Sequence, residues 1–586
     1  MNFLKIMFGS MLGFFLSLIL FVIILFGIIA GAVSTMKDGE KVDIKEKSVL
    51  QLDFGLGISE RTPNNPLKFL ARNGNTDMPI GLDDILASIN HAATDENIKG
   101  IYINVEAIGS GWATAEEIRQ ALIEFKKSKK WIIAYGEIYT KGAYYLASVA
   151  DKIYLNPAGE VLFNGMYSEV TFFKGALEKL GVEMQVIRHG KFKGAVEPFF
   201  LDKLSNENRE QISVYVNGLW NHMLDRVSES RNITKDELNK IADGLLVRNA
   251  DDAKQFKLVD DVIFKDQVLD ELRKRLSIKE EEKISFVSLN KYRHSFKDER
   301  KGESKIAVIY AVGEINGGNG DDETIGSEGL SEAIRKARLD KKVKAVVLRI
   351  NSPGGSALAS DVIWREVVLT KKVKPVIVSM GDVAASGGYY IACAADSIFA
   401  QPNTITGSIG VFGLMPNTAK LMHEKLGITT DGVKTNTYSD LGKIDRPLSA
   451  DEMAIMQTYV NHTYDEFITK VAEGRHMDKN MIDSIGQGRV WTGMDALRIG
   501  LVDRLGSLQD AIDAAARMAK LKEYQLKILP KQKEPFEELM KSLKEDGETY
   551  MAKQQLGEYY TWFNQFKHMN CMKGVQARMS YWVETK

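Results

Sequence analysis

The chain repeats itself, and this constrains its fold more than any other feature. The segment GEIYTKGAYYLASVADKIYLNP, from Gly136 to Pro157, aligns without a gap on GDVAASGGYYIACAADSIFAQP, from Gly381 to Pro402, at an offset of 245 residues. At the same offset KGIYINVEAIGSG, from Lys99, lies over KAVVLRINSPGGS, from Lys344. Further on, LEKLGVEMQVIRHGKFK lies over HEKLGITTDGVKTNTYS at an offset of 246, and DAKQFKLVD over DALRIGLVD at 243. A unit of about 240 residues has been duplicated, so whatever one copy folds into the other must share.

Within a copy, apolar strands alternate with helices. In the second copy KIAVIYAVGEI reads as a strand, GLSEAIRKARLD as a helix, VKAVVLRI as a buried strand and ASDVIWREVVLTKK as a helix; the strand PVIVSM and a helix opening at SGGYYIACAAD follow. Strands separated by helices of this length pair in parallel through right-handed crossovers, which predicts α/β architecture. Residues 48–290 form the first expected repeat and 305–530 the second. The stretch 291–304, NKYRHSFKDERKGES and its flank, is dense in charge and reads as a linker. The tail 531–586 includes EELMKSLKEDGETYMAKQQL, an amphipathic helical pattern with no readable role.

Residues 1–36 carry a different signal. Between Lys5 and Lys37 lie 31 uncharged residues, including LGFFLSLILFVIILFGIIAGAV. About 20 apolar residues suffice to cross a bilayer, whereas the apolar core of a cleavable signal peptide runs to only about 7–15. An uncleaved N-terminal transmembrane helix through residues 8–33 is therefore expected, with the rest of the chain on one side. The positive-inside rule does not fix that side, because Lys37, Lys41, Lys45 and Lys47 follow the span.

Composition excludes several classes. With 44% hydrophobic and 26% charged residues over 586 positions the chain has a core to build, and its size calls for more than one domain. A formal net charge of −1 provides no field to gather nucleic acid, so no nucleic-acid partner is expected. Two cysteines, Cys393 and Cys571, form no metal-binding pattern, and Cys393 reads as a small core residue. The eight histidines include no HExxH, so metal hydrolysis has little support.

Three elements are candidates for chemistry. NSPGGS, Asn351 to Ser356, follows a strand, where Gly354 and Gly355 let backbone N–H groups turn toward a ligand, as in an oxyanion hole; Pro-Gly-Gly is also an ordinary turn. Ser386 sits where a strand passes into a helix, with the Gly387 N–H beside it at the helix N-terminus; such a serine is either an N-cap or a nucleophile facing the crevice. Lys193, in HGKFKGAVEPFF, serves as a general base only if burial lowers its pKa, and most lysines are solvated surface charges. The duplication links the last two. Opposite Ser386 the first copy has Lys141, and opposite Lys193 the second has Ser439, so neither copy holds both groups. A working pair would need the two copies to meet.

Taken together, KGAVEPF, INSPGGS, GDVAASGGYY and NTITGSIGVFG resemble, in the family's order, the long form of the signal peptide peptidase A family, also called protease IV, of the Clp-protease/crotonase superfamily. The resemblance runs from the N-terminal segment to about residue 530 and implies tandem crotonase-like domains behind a transmembrane helix. It implies Ser386 as nucleophile and Lys193 as base, from different repeats. Ser408 would be an accessory serine bonded to the lysine, and the N–H groups around Gly354, Gly355 and Gly387 the oxyanion hole. The substrates implied are peptide remnants of cleaved signal peptides, with no cofactor. The resemblance also implies an inner-membrane anchor, a catalytic body on the outer, periplasmic side, and a homo-oligomer, a tetramer. The rivals are an acyl-CoA enzyme of the same fold, which needs neither an anchor nor a Ser and Lys pair, and a decayed, non-enzymatic membrane scaffold, which the survival of Ser386, Lys193 and the paired glycines opposes.

Overall fold

Continuous apolar strands flanked by helices have no stable alternative to a sheet covered on both faces. In the computed structural model, which describes residues 9, 13–20, 42–54, 57–63, 79–297, 300–532 and 574–579, each copy builds such a sheet. The first has six strands in the order Asp261–Val262, Lys152–Val161, Trp131–Tyr139, Ile98–Ile103, Ser48–Leu52 and Phe286–Ser288, every neighbouring pair parallel. The second runs Val490–Thr492, Ile405–Gly407, Val376–Ala385, Val343–Ser352, Lys305–Val312 and Gln525–Leu529, with only the first pair antiparallel. Helices Leu82–Thr94 and Trp112–Lys126 cover the first sheet, and Ser327–Leu339 and Ala357–Lys371 stand at the corresponding places on the second. Ile101, Ile132 and Leu146 lie in one core and Val346, Val378 and Ile391 in the other, all buried.

A third sheet joins the copies. Its order is Thr324–Gly326, Glu314–Asn316, Gly354–Ser356, Gln576–Arg578, Val411–Asn417 and Glu183–His189. The last strand comes from the first copy and pairs antiparallel with Val411–Asn417 of the second over seven residues, from Val411 opposite His189 to Asn417 opposite Glu183. Deeper in the same interface, the guanidinium of Arg349 meets Glu60 at 2.9 Å and Glu117 at 2.8 Å, all three buried. Asn351 donates to the other Glu60 oxygen at 2.9 Å, and Asp382 accepts from the Thr114 backbone and hydroxyl at 2.8 and 2.7 Å. Glu60, Thr114 and Glu117 belong to the first copy, and Arg349, Asn351 and Asp382 to the second.

Two regions differ from the sequence reading. The expected linker is docked rather than free: helix Leu289–Tyr292 buries Tyr292, whose hydroxyl donates to Asp95 at 2.8 Å, Arg293 pairs with Asp84, and Phe296 stacks on His91. Charge density signals exposure only where the apolar residues between the charges find nothing to cover them. In the tail, residues 533–573, which hold the helical pattern, lie outside the described residues, but 574–579 are extended, with strand Gln576–Arg578 added to the third sheet. The expected anchor also falls largely outside the described residues. Only Gly9 and residues 13–20 are described there, as helix, and no helix among the described residues is long and apolar enough to cross a membrane.

Arg349→Ala leaves two buried carboxylates without their cation, which typically costs about 3–5 kcal/mol. The expected outcome is a large drop in the denaturant midpoint of unfolding, beyond the ~1 kcal/mol of an average substitution. A midpoint within error of wild type would show that the cluster does not hold the copies together.

Candidate active site

Strand Val376–Ala385 ends at Ser386, whose backbone is held at φ 55° and ψ −112°, a conformation that L-residues rarely adopt. Its N–H donates to the Gly407 carbonyl at 2.8 Å, and its carbonyl accepts from Tyr390 as helix Gly387–Ala392 begins. The residue thus stands at the N-cap position, yet its side chain makes no capping bond. The hydroxyl instead faces Lys193, with the Gly410 carbonyl 3.4 Å away.

Lys193 follows strand Glu183–His189 by four residues, so the cross-copy pairing carries it to the second copy. Its Nζ lies 2.9 Å from Ser386 Oγ and donates to the hydroxyl and the carbonyl of Ser408, each at 3.2 Å. Lys193, Ser386 and Ser408 are all fully buried. With no carboxylate against it among the described residues, burial holds the Lys193 amine well below the ordinary lysine range. A neutral amine has two N–H groups and one lone pair. With both N–H groups directed at Ser408, the lone pair is left facing the Ser386 hydroxyl.

Both copies clasp the lysine from behind. Phe192 N–H donates to the Gln487 carbonyl at 2.9 Å, and its carbonyl accepts from Gln211 at 2.9 Å. Gly488, at φ 82°, passes so close that a Cβ there would lie 2.7 Å from Lys193 Cα. After the lysine, buried Glu197 accepts from Ser205 Oγ at 2.6 Å and from Asn208 at 3.0 Å, fixing the turn into helix Asn206–Arg231. Sequence reasoning named none of Gln211, Gly488 or Glu197. The only usable signal was Gly-Gln-Gly at 486–488, one residue before the strand Val490–Thr492, because glycine beside a strand marks close backbone approach.

The glycines converge as well. Gly354, at φ 93°, and Gly387 are adjacent: a Cβ on Gly354 would lie 2.6 Å from Gly387 N, and one on Gly387 would lie 3.1 Å from Gly354 Cα. Gly387 opens its helix, and first-turn N–H groups have no intrahelical acceptor. The Gly354 N–H faces Ser352 Oγ at 3.1 Å, and Gly355 pairs with Ala577. The Pro-Gly-Gly turn and the serine therefore share one crevice. The positions opposite the pair in the repeat form no such site: Lys141 of the first copy opens a helix capped by Thr140, and Ser439 of the second lies on an exposed turn.

Comparison with known proteins bears on this arrangement. Residues 124–279 and 369–522 each match peptidase family S49. The chain is 41% identical over 454 residues to Protease 4 of Salmonella typhi, covering 76% of this chain and 73% of that one. It is 38% identical over 447 residues to Protease 4 of Haemophilus influenzae, covering 74% and 72%. To the chloroplastic serine protease SPPA of Arabidopsis thaliana it is 37% identical over 451 residues, covering 75% and 66%. Among solved structures, a ClpP1 mutant from Listeria monocytogenes covers 35% of this chain and 94% of its own at 17% identity, with a TM-score of 0.24, too low to bear on the fold.

A duplicated α/β chain with these relatives is a serine protease. It belongs to peptidase family S49, and the resemblance to signal peptide peptidase A read from its motifs is thereby shown.

The depressed Lys193 pKa has a stability consequence of definite sign. Between that depressed value and 10.5 the unfolded chain binds a proton at Lys193 that the native chain does not, so native stability rises with pH across the window. Lys193→Met removes this dependence. The wild-type Tm, measured by scanning fluorimetry, should rise relative to that of Lys193→Met as pH climbs from about 7 to about 10; parallel curves would mean that Lys193 is charged in the folded protein.

Proposed function

We propose that this serine protease is a membrane-anchored endopeptidase that degrades cleaved signal peptides and other short apolar peptides with a Ser386–Lys193 dyad. The observation that carries the reading is the 2.9 Å approach of the Lys193 amine to Ser386 Oγ in a site closed to water. In the acylation step the neutral amine takes the hydroxyl proton as Oγ attacks the peptide carbonyl. The same ammonium returns the proton to the departing amine, and a second cycle with water hydrolyses the ester. Ser408 keeps the amine aimed. The Gly387 N–H, in the crevice that Gly354 and Gly355 wall, meets the developing oxyanion, a contribution on the order of 10²–10³ in rate per donor. The preference for apolar peptides is supported by Val383, Ala385 and Ile405, buried on the strands leading to and beside the nucleophile.

The finer fold is read as two crotonase/Clp-protease-like units, supported by parallel sheets whose glycine turn and serine stand at the carboxyl ends of adjacent strands. Residues 8–33 are the proposed anchor in the bacterial inner membrane, supported by the 31 uncharged residues between Lys5 and Lys37, with the body on the periplasmic side. A tetramer is proposed on pseudo-symmetry. The first copy's segment 183–193 docks on its own second copy, whereas the second copy's counterpart, 429–439, exposes Val433 and Tyr438. A head-to-tail contact between chains would cover it, and such contacts close into rings.

The test is hydrolysis of a signal-peptide fragment by wild type, Ser386→Ala and Lys193→Ala. Each substitution should lower kcat by at least about 10³-fold with the fold retained. Wild-type kcat/KM should rise with pH through the depressed Lys193 pKa, since only the neutral amine accepts a proton. Near-normal turnover by Lys193→Ala would remove the lysine from the mechanism.

A further inference from the structure

The turn that clasps Lys193 is itself held from outside. Its backbone takes φ 54° at Gln487 and φ 82° at Gly488, two successive left-handed residues of which only the second is a glycine. Bonds from this turn reach both the base and its neighbour. The Gln487 carbonyl accepts from Phe192, the Arg489 carbonyl accepts from the Ser408 N–H at 2.7 Å, and the Gly488 carbonyl accepts from Ser408 Oγ at 3.4 Å. Whatever fixes the turn therefore fixes Lys193 and Ser408 together.

Tyr464, buried on helix Ala450–Arg475 of the second copy, does this. Its hydroxyl accepts from the Gln487 N–H at 3.2 Å and donates to Asp483 at 2.6 Å, and the Gln487 side chain donates to the same Asp483 oxygen at 2.6 Å. Burial, and then the bond to Asp483, push the phenol pKa up, so the hydroxyl keeps its proton for Asp483 and a lone pair for Gln487. The ring has a second contact. It lies flat on His189, the last residue of the strand that crosses between the copies, with centroids 3.9 Å apart and planes 20° from parallel. Earlier on the same helix face, Asn461 holds His189 Nδ1 at 2.9 Å and Gln457 donates to the Arg188 carbonyl at 3.3 Å. Tyr464 thus grips the lysine segment at both ends, at His189 directly and at Phe192 through Gln487.

The duplication separates this arrangement from an ordinary tie between helices. Helices Asn206–Arg231 and Ala450–Arg475 begin after Ser205 and Ser449 and end at Asn232 and His476, an offset of 244 at both ends. At that offset Trp220 stands opposite Tyr464 and Asn239 opposite Asp483, and the Trp220 indole donates to Asn239 at 3.0 Å. The tie itself is therefore common to both copies. An indole N–H donates but cannot accept, so of the two residues only Tyr464 can take a backbone N–H, and it belongs to the copy that receives the lysine. We propose that Tyr464 is a positioning residue for the dyad, its ring fixing the strand end at His189 and its hydroxyl the Gln487–Gly488 turn, so that Lys193 and Ser408 stay in register with Ser386. The inference rests on the dyad reading above.

The experiment uses the full chain in detergent and follows hydrolysis of a signal-peptide fragment across pH, with Tm by scanning fluorimetry. Tyr464→Phe keeps the ring and removes the hydroxyl. Its kcat should fall about 10- to 100-fold with KM within about twofold of wild type, because a misplaced base costs rate and not binding. The rise of kcat/KM with pH should also move up by at least about half a unit, since a loosened turn lets water reach the amine. Asp483→Ala, which leaves the tyrosine but frees its hydroxyl, should act in the same direction. Trp220→Phe removes the corresponding bond of the first copy; it should lower Tm as Tyr464→Phe does, yet leave kcat and the pH profile at wild-type values. Wild-type kcat and pH profile in Tyr464→Phe, or an equal loss in Trp220→Phe, would reduce Tyr464 to a structural tie and leave the dyad standing. Near-normal turnover by Lys193→Ala, run alongside, would sink the dyad reading and this inference with it.

Discussion

The candidate active site depends on one antiparallel pairing, that of Glu183–His189 with Val411–Asn417. Neither parallel sheet needs it, since each has its own core. The pairing carries Lys193 out of the copy that encodes it and sets it against the serine of the other. It also excludes water, and the exclusion changes the lysine's chemistry. In solvent the amine would stay protonated and useless as a base, but between Ser386, Ser408 and the Gly488 backbone its charged form is disfavoured. Packing and reactivity are the same event here.

Arg349 is the counterexample that makes the point. It is as fully buried as Lys193, yet two carboxylates stand within 3 Å and keep it charged, whereas among the described residues the Lys193 amine meets only hydroxyls and carbonyls. The interface therefore holds one cation that is neutralised by partners and one that escapes charge by losing its proton. The first fixes how the copies sit. The strain at Ser386 depends on that fixity, because a positive φ outside glycine persists only where the surroundings over-determine it.

Much of this was legible in the sequence, for identifiable reasons. The parallel sheets follow from apolar runs spaced by helices, and Ser386 and Lys193 stood out because the repeat shows each missing from the opposite copy. The N-cap alternative for Ser386 could not be dismissed from sequence, since position alone does not say where a hydroxyl points. Ser408 came only from family resemblance, as its role depends on a left-handed turn after Gly407. Gln211 and Gly488 reach the lysine from remote segments, Gly488 leaving only the faint Gly-Gln-Gly mark, and Glu197, four residues on, was not legible because a carboxylate in sequence does not show that it is buried against Ser205 and Asn208. The strand Gln576–Arg578 was invisible for a simpler reason: three residues of mixed polarity have no periodicity, and their extended form is imposed by the edge they join.

The division of the site between copies also sets when it can exist. Lys193 lies in the first third of the chain, whereas Ser386, Ser408 and the Gly488 clasp come some two to three hundred residues later. A chain still being made holds a lysine with no serine, and its first copy can close its own core without acquiring any chemistry. Contacts this distant in sequence are slow to form. The order of synthesis thus acts as a safety interval, in which the growing protease cannot attack itself or its neighbours before the last strands of the second copy have closed on the first.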